Sequence, residues 1–192
     1  MSGYNSPVDR IQIIKRTKLF LEIAEKFPEF RYLGDPILKN KTRAVPIKEG
    51  IEIGNKLGQI LIEYQKIAGI GRGLAAPQIN IAKSVFVTYL NGEIQIYINP
   101  KIISKSKKLN YYRELCLSCG TMWADIKRSD TIRMQWKDKK GKIQEQEFSG
   151  FVARLIQHEY DHLLGISDLD KAEPKTIEFV TSDPLKETLR PA

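Results

Sequence analysis

Both histidines of this 192-residue chain lie within one five-residue segment, which constrains the fold more than any other feature of the sequence. The flanking residues have the apolar spacing of a helix, which we predict over residues 150–164 with Gly165 as its stop signal. Residues i and i+4 share a helix face, so His158 and His162 can bind one metal ion. Glu159 completes the H-E-x-x-H pattern, in which the glutamate acts as general base. The alternative is a buried helix with two hydrogen-bonded histidines and no metal.

The composition is typical of a globular chain with one sizeable core. Hydrophobic residues make up 42% and charged residues 28% of the sequence. No stretch approaches the roughly 20 apolar residues of a membrane span, and the polar segment Met1 to Arg10 lacks a signal-peptide core. We therefore expect a cytoplasmic protein without membrane contact. The two cysteines, Cys116 and Cys119, are too few for a disulfide framework and agree with a reducing compartment.

A basic amphipathic stretch near the N-terminus predicts a helix over residues 8–27. An organelle transit peptide would be poor in acidic residues, whereas this region contains Asp9 and several glutamates. We predict a helical extension over residues 1–30 that packs on a main domain over residues 31–192.

Patterns of apolar residues predict the elements of that main domain. A helix over residues 53–67 is followed by helix-breaking glycines, and two β-hairpins come after it. The first hairpin turns at Asn91-Gly92, and Asn99-Pro100 ends its second strand. The predicted strands are residues 85–90, 94–98, 131–136 and 143–148. The sequence therefore predicts an α+β fold, with antiparallel sheets and hairpins around a central metal-binding helix.

Two lysine-rich runs, within residues 101–108 and 137–142, contribute to the net charge of +8. Such runs are typical of solvated hairpins, and the alternative is attraction to a polyanion such as RNA through a transient ribosome contact. No stacking-aromatic module accompanies them, so we expect no sequence-specific binding of nucleic acid.

A catalytic metal site usually has three protein ligands and one open position, so the two histidines need a partner. The chain has no third histidine, and Cys116 offers a thiolate, which is a strong ligand for iron or zinc. Cys116 and Cys119 also form a C-x-x-C pair, which could be a redox pair or could join the histidines in a closed zinc site. The closed site would leave Glu159 without a role.

Three segments, in the same order and at similar spacing, resemble motifs of the peptide deformylase family. The family motifs are G-Φ-G-Φ-A-A-x-Q, with Φ apolar, then E-G-C-L-S and Q-H-E-x-D-H-L. The likeness extends from about residue 33 to residue 170. The matching segments are Gly71-Arg72-Gly73-Leu74-Ala75-Ala76-Pro77-Gln78, Glu114-Leu115-Cys116-Leu117-Ser118 and Gln157-His158-Glu159-Tyr160-Asp161-His162-Leu163.

The resemblance implies a metal-dependent hydrolase that removes the formyl group from the N-terminal formyl-methionine of nascent polypeptides. By motif position, Glu159 would be the general acid and base. The side chain of Gln78 and the backbone N–H of Leu117 would form an oxyanion hole. The metal, ferrous iron with zinc, nickel or cobalt as substitutes, would be held by Cys116, His158 and His162.

Two residues depart from the family motifs within the predicted substrate-binding set of Gly71, Arg72, Gly73 and Leu115. Arg72 replaces an apolar residue of the pocket wall, and its side chain is expected to turn outward, since burying an unpaired charge is costly. Leu115 replaces a glycine beside the metal. Alternative functions are therefore hydrolysis of another N-acyl group or a non-enzymatic, basic, ribosome-associated metal-binding protein, and a zinc endopeptidase is a weaker alternative.

Two acidic residues of the motifs, Asp161 and Glu114, are predicted to pair with arginines and to support the site from outside. The candidate partners of Asp161 are Arg113, Arg128 and Arg154.

Overall fold

The structure, a computed structural model, describes residues 9–192. Residue 8 of the predicted N-terminal helix and the polar segment before it lie outside this range. Within residues 9–192 the helices are α1 (Arg10–Lys26), α2 (Ile47–Ala68) and α3 (Gly150–Leu163). The strands in the same range are β1 (Gly73–Ala75), β2 (Val85–Leu90), β3 (Glu93–Lys105), β4 (Leu109–Leu115), β5 (Met122–Ser129), β6 (Thr131–Lys137), β7 (Ile143–Ser149), β8 (Glu178–Phe179) and β9 (Arg190–Pro191).

The described strands form two antiparallel sheets, in the orders β1-β2-β3-β6-β7 and β8-β5-β4-β9. Helix α2 packs on β2 and β3, whereas α3 contacts β1, β2 and β7 of the first sheet and β5 of the second. The predicted α+β class is thus confirmed, with antiparallel sheets around the histidine-bearing helix. No helix in residues 9–192 combines the length and the apolar character that crossing a membrane requires.

Glycines on one face of α2 let the helix approach β3 closely. A Cβ atom at Gly54 would lie 2.5 Å from Cγ2 of Ile96, so no larger residue fits without a shift. Gly50 and Gly58 face Ile98 and Ile94 in the same way. Because glycines take core-facing positions that would otherwise hold large apolar residues, the helical spacing of apolar residues cannot be recognised at the start of α2. The predicted start at residue 53 is therefore wrong, and α2 begins at Ile47.

The predicted end of the second strand at Asn99-Pro100 is also wrong, because β3 continues to Lys105. Asn99 has a φ of 50°, and its side chain bonds both the N–H and the C=O of Val45, at 2.9 and 2.8 Å. The register with β6 shifts between Ile98 and Lys101. A bulge of this kind accommodates a proline inside a strand.

Strands β4 and β5 were not predicted from the sequence, because their inward-facing residues include charged groups. Arg113, Glu114 and Arg128 are all buried, so the alternation of apolar and polar residues is obscured. The second hairpin and the histidine-bearing helix are confirmed to within one residue at each end.

We predict that Gly54→Ala lowers the free energy of unfolding by about 1–2 kcal/mol. Overpacking against Ile96 costs about 1–3 kcal/mol, and the better helix propensity of alanine returns up to about 1 kcal/mol. Gly58→Ala is the matched control, since its added Cβ would lie 3.2 Å from the half-buried Ile94, which can shift. Urea unfolding followed by circular dichroism compares the two. Equal losses in both variants would contradict this account of the packing.

Candidate metal and catalytic site

Helix α3 places its two histidines one turn apart, with ring centroids 5.2 Å from each other. Cys116 follows the end of β4, and its Sγ lies 3.2 Å from Nε2 of His162. One ligand atom from each of Cys116, His158 and His162 lies within 4.8 Å of the other two. The structure thus brings together the three residues that the sequence indicated as a ligand set. A thiolate and two imidazoles around one point suit iron, zinc, nickel or cobalt.

Cys119 belongs to a different group, which comprises Cys116, Cys119 and Asp168. Its Sγ lies 2.9 Å from Oδ1 of Asp168 and is also close to Cys116, so the thiol proton has two acceptors. The hydrogen bond with Cys119 and the charge of His162 hold the pKa of Cys116 well below its usual value. Cys119 therefore lies behind Cys116 and supports it as a thiolate. A closed Cys2His2 arrangement is not the one formed by the described residues.

Glu114 connects the ligand helix to the second sheet. Its carboxylate accepts hydrogen bonds from Arg128 at 2.7 and 2.8 Å and from Arg154 at 2.7 Å. Nδ1 of His158 lies 2.8 Å from the same carboxylate, so Nε2 is the nitrogen left for a metal. Burial alone would raise the pKa of Glu114, but Arg128 and His158 hold it well below its usual value. A carboxylate behind a ligating histidine fixes the ring orientation and increases the basicity of the ligand.

Asp161 lies beside this cluster and binds Nη1 of Arg128 at 2.5 Å and the ammonium of Lys171 at 2.6 Å. Of the three arginines considered as its partners, Arg128 is the one that binds it. Arg113 pairs with Asp125 and Glu178 instead. Lys171 had no recognisable signal, because it lies beyond the end of α3 and no periodic pattern links it to Asp161.

Glu159 is buried, and its Oε2 has no hydrogen-bond partner within residues 9–192. Burial raises its pKa to about 7. A carboxyl group with such a pKa can both take and return a proton near neutral pH. The carboxylate occupies the space beside Gly73, where an added Cβ would lie only 2.3 Å from Oε1 of Glu159.

Gln78 lies in a short 3-10 helix after β1, with its side chain buried beside Cys116. Its Oε1 accepts the N–H of Ala75 at 2.8 Å, which turns the amide nitrogen toward the site. That nitrogen lies 3.2 Å from Oγ of Ser118 and 3.6 Å from Sγ of Cys116. Leu117, the residue between them in sequence, opens a 3-10 turn and lines the neighbouring cleft.

An open cleft of about 800 Å³ leads to His158 and Glu159. Arg72 borders it, with its guanidinium 4.8 Å from the centroid of the Phe151 ring. Its charge is thus placed over an aromatic face. Wall residues that sequence reasoning missed come from several distant segments, and they include Tyr112, Phe151, Leu155, Pro184 and Leu185.

Gly71 and Leu115 lie on the same cleft. Gly71 has a φ of +110°, and a Cβ there would lie 2.8 Å from the Tyr64 ring, so conformation and space both favour glycine. Leu115 ends β4 in register with Trp123. It is not among the non-glycine residues of positive φ in the described chain, so leucine fits its backbone without strain.

Together, the cluster of one thiol and two imidazoles, the adjacent carboxylate and the open cleft are the arrangement expected of a metal-dependent hydrolase. The family model of polypeptide deformylase matches residues 28–178. The peptide deformylase of Pseudothermotoga lettingae is 35% identical over 162 residues, which is 84% of this chain and 92% of that protein.

Solved structures agree with this match. The peptide deformylase of Thermotoga maritima superposes with a TM-score of 0.68 at 32% identity, covering 76% of this chain and 97% of that one. The Acinetobacter baumannii enzyme with bound Met-Ala-Ser gives a TM-score of 0.66 at 26% identity, covering 74% and 96% of the two chains. This chain belongs to the polypeptide deformylase family. It is a hydrolase of the N-formyl amide bond, as the three sequence motifs indicated.

We predict that Glu114→Gln lowers the free energy of unfolding of the metal-free protein by about 3–5 kcal/mol, because it leaves a buried arginine without a counter-charge. Glu145→Gln is the matched control: it removes a carboxylate from an exposed pair with Arg133 and should change stability little. Guanidinium unfolding curves test both variants. A small loss for Glu114→Gln would show that the buried cluster is not needed for folding.

Proposed function

We propose that this chain removes the formyl group from the N-terminal formyl-methionine of nascent polypeptides, with Cys116, His158 and His162 as metal ligands and Glu159 as general acid and base. The observation that carries the proposal is the ligand set within 4.8 Å, beside a buried carboxylate oxygen without a partner in the described chain. The nascent peptide is the partner.

The residues present fit a divalent metal ion. The ligand set combines a thiol of lowered pKa with a histidine whose second nitrogen is already bonded to Glu114. We propose Fe²⁺ as the native ion, with zinc, nickel or cobalt as substitutes, because the motifs resemble those of iron-dependent deformylases and these ligands accept all four metals. When bound, the ion would lower the pKa of a water molecule and polarise the formyl carbonyl.

Glu159 would take a proton from the attacking water at its Oε2 and return it to the leaving amine nitrogen. Its pKa of about 7 suits both transfers. The side-chain amide of Gln78 and the backbone N–H of Leu117 would donate to the oxygen of the formyl group as negative charge develops there. One such donor contributes about 3–4 kcal/mol to lowering the barrier.

The substrate peptide would bind along β1, which is an edge strand of the first sheet. An extended peptide can pair with such an edge as an added strand. Gly71 and Gly73 flank this path, while Leu115 and Arg72 border the cleft that would receive the methionine side chain. The Acinetobacter baumannii enzyme binds Met-Ala-Ser, which supports a peptide as the substrate of this chain.

A second candidate, hydrolysis of another N-acyl group, is favoured by one observation. The cationic Arg72 borders the cleft, where the family motif has an apolar residue. Its contact with Phe151 keeps the charge over a ring face, which favours the formyl-methionine substrate.

The exposed lysines of β3, β6 and the turn after β6 support a further proposal, a transient contact with ribosomal RNA in the cytoplasm. Because β3 pairs with β6, Lys101, which lies opposite Gln135, is near Lys137, while the remainders of the two runs extend toward opposite ends of the strand pair. This contact would be electrostatic and independent of nucleotide sequence.

The central test is formate release from formyl-Met-Ala-Ser by protein loaded anaerobically with Fe²⁺. We expect turnover by the wild type and a loss of about 100-fold to 10,000-fold in kcat for Glu159→Gln, because proton transfer contributes that much. Metal content should be equal in the two proteins. A fully active Glu159→Gln variant would make the general-base assignment wrong. If the wild type released acetate from the acetylated peptide but no formate from the matched formylated peptide, hydrolysis of another N-acyl group would be favoured.

Replacing each cysteine tests the ligand set. Cys116→Ser should strongly reduce the affinity for Co²⁺ and remove the thiolate-to-metal absorption band of the cobalt-loaded protein, because serine is a poor ligand for such ions. Cys119→Ser is the matched control and should keep both metal and band, since Cys119 bonds Asp168. Loss of metal from both variants would instead indicate a site that uses both sulfurs.

A further inference from the structure

A second, smaller cavity adjoins the active-site cleft on the side of α1. The cavity and the cleft share wall residues, so they lie next to each other. The shared residues are Tyr64, Ile70, Leu115 and Leu117. The far wall of the cavity consists of α1 residues, namely Arg16, Leu19, Phe20 and Ile23.

Helix α1 is packed firmly enough to act as a wall. Ile23 is buried in the main core with Phe27, the residue that follows the helix. Phe20 meets the ring of Tyr32 edge-on with centroids 5.0 Å apart, and its ring lies 3.3 Å from where a Cβ of Gly120 would be. The match to the polypeptide deformylase family begins at residue 28. The α1 wall is therefore a feature of this chain that the family match leaves without a role.

Arg16 is the one charged residue of this cavity, whose other walls are mostly apolar. Within residues 9–192 its guanidinium makes no ion pair, although the side chain is half-buried. It acts on the Tyr64 hydroxyl, whose pKa burial raises and the charge of Arg16 lowers. An arginine held without a counter-ion beside an apolar cavity is suited to bind a carboxylate.

We propose that the cavity between α1 and Leu117 is a subsite for peptide residues that follow the formyl-methionine, and that Arg16 is a specificity-determining residue that selects acidic side chains there. The position of Leu115 and Leu117 carries the inference: both residues line the cleft and the cavity, so a peptide that leaves the cleft beside them would meet the cavity. The inference rests on the proposed function, since it extends the binding path of the same substrate.

The test compares amidated formyl-tetrapeptides that carry Glu or Lys at the second or the third residue. In the wild type, kcat/KM should be higher for the Glu peptide at one of these positions. At that position, Arg16→Glu should lower the ratio of kcat/KM for the Glu peptide to kcat/KM for the Lys peptide about fivefold. This is the size expected of a partly exposed charge pair. High salt should bring the wild-type ratio toward one. Because each ratio is measured within one protein, partial loss of folded enzyme cancels.

Lys18→Glu is the matched control, since it makes the same charge change at an exposed residue of α1 outside the cavity. It should leave both ratios as in the wild type. An unchanged ratio in Arg16→Glu at both positions, or equal shifts in the two variants, would overturn the proposal. Formate release from amidated formyl-Met-Ala distinguishes failure of the proposed function from failure of the subsite proposal. If the wild type releases no formate, the proposed function fails. If it releases formate but the ratios are unchanged, only the subsite proposal fails.

Discussion

The carboxylate of Glu114 joins two parts of the fold that share no backbone ladder. It bonds Arg128 on β5 and both Arg154 and His158 on α3, all from a fully buried position. Burying several charges is tolerated only when each has a partner, so the second sheet and α3 hold each other in one arrangement. Cys116 lies two residues after Glu114 in sequence. The same cluster therefore positions Cys116 relative to the two histidines with which it is proposed to bind the metal.

The proposed metal ligands receive different amounts of support from neighbouring groups. His158 is oriented from behind by Glu114, and Cys116 is supported by Cys119 and Asp168. Glu159, by contrast, keeps a buried oxygen without a partner among the described residues. Nδ1 of His162 is likewise buried without a partner within residues 9–192. Support from behind is therefore given to two of the three proposed ligands, and the carboxylate oxygen proposed to move protons has none.

Sequence reasoning predicted the α+β class, which the structure confirms, because alternating strands and helical spacing are local signals. It also predicted Cys116, His158 and His162 as a ligand set, and these three residues lie together in the structure. The two histidines have the helical i, i+4 spacing, whereas Cys116 was indicated by the order of the motifs. It missed β4 and β5 because Arg113, Glu114 and Arg128 are buried, against the usual polarity of inward-facing positions. It also missed the cleft walls. Pro184 and Leu185 reach the cleft from a distant part of the chain, and no periodicity in their own segment marks that contact.

Gly73 shows that a glycine can be required for a reason other than backbone freedom. It is not among the glycines of positive φ, so its backbone would accept any residue. The volume that a side chain would fill is taken by the carboxylate of Glu159. The residue at position 73 thus determines where the carboxylate of Glu159, the proposed general base, can lie, and even a methyl group there would displace that carboxylate.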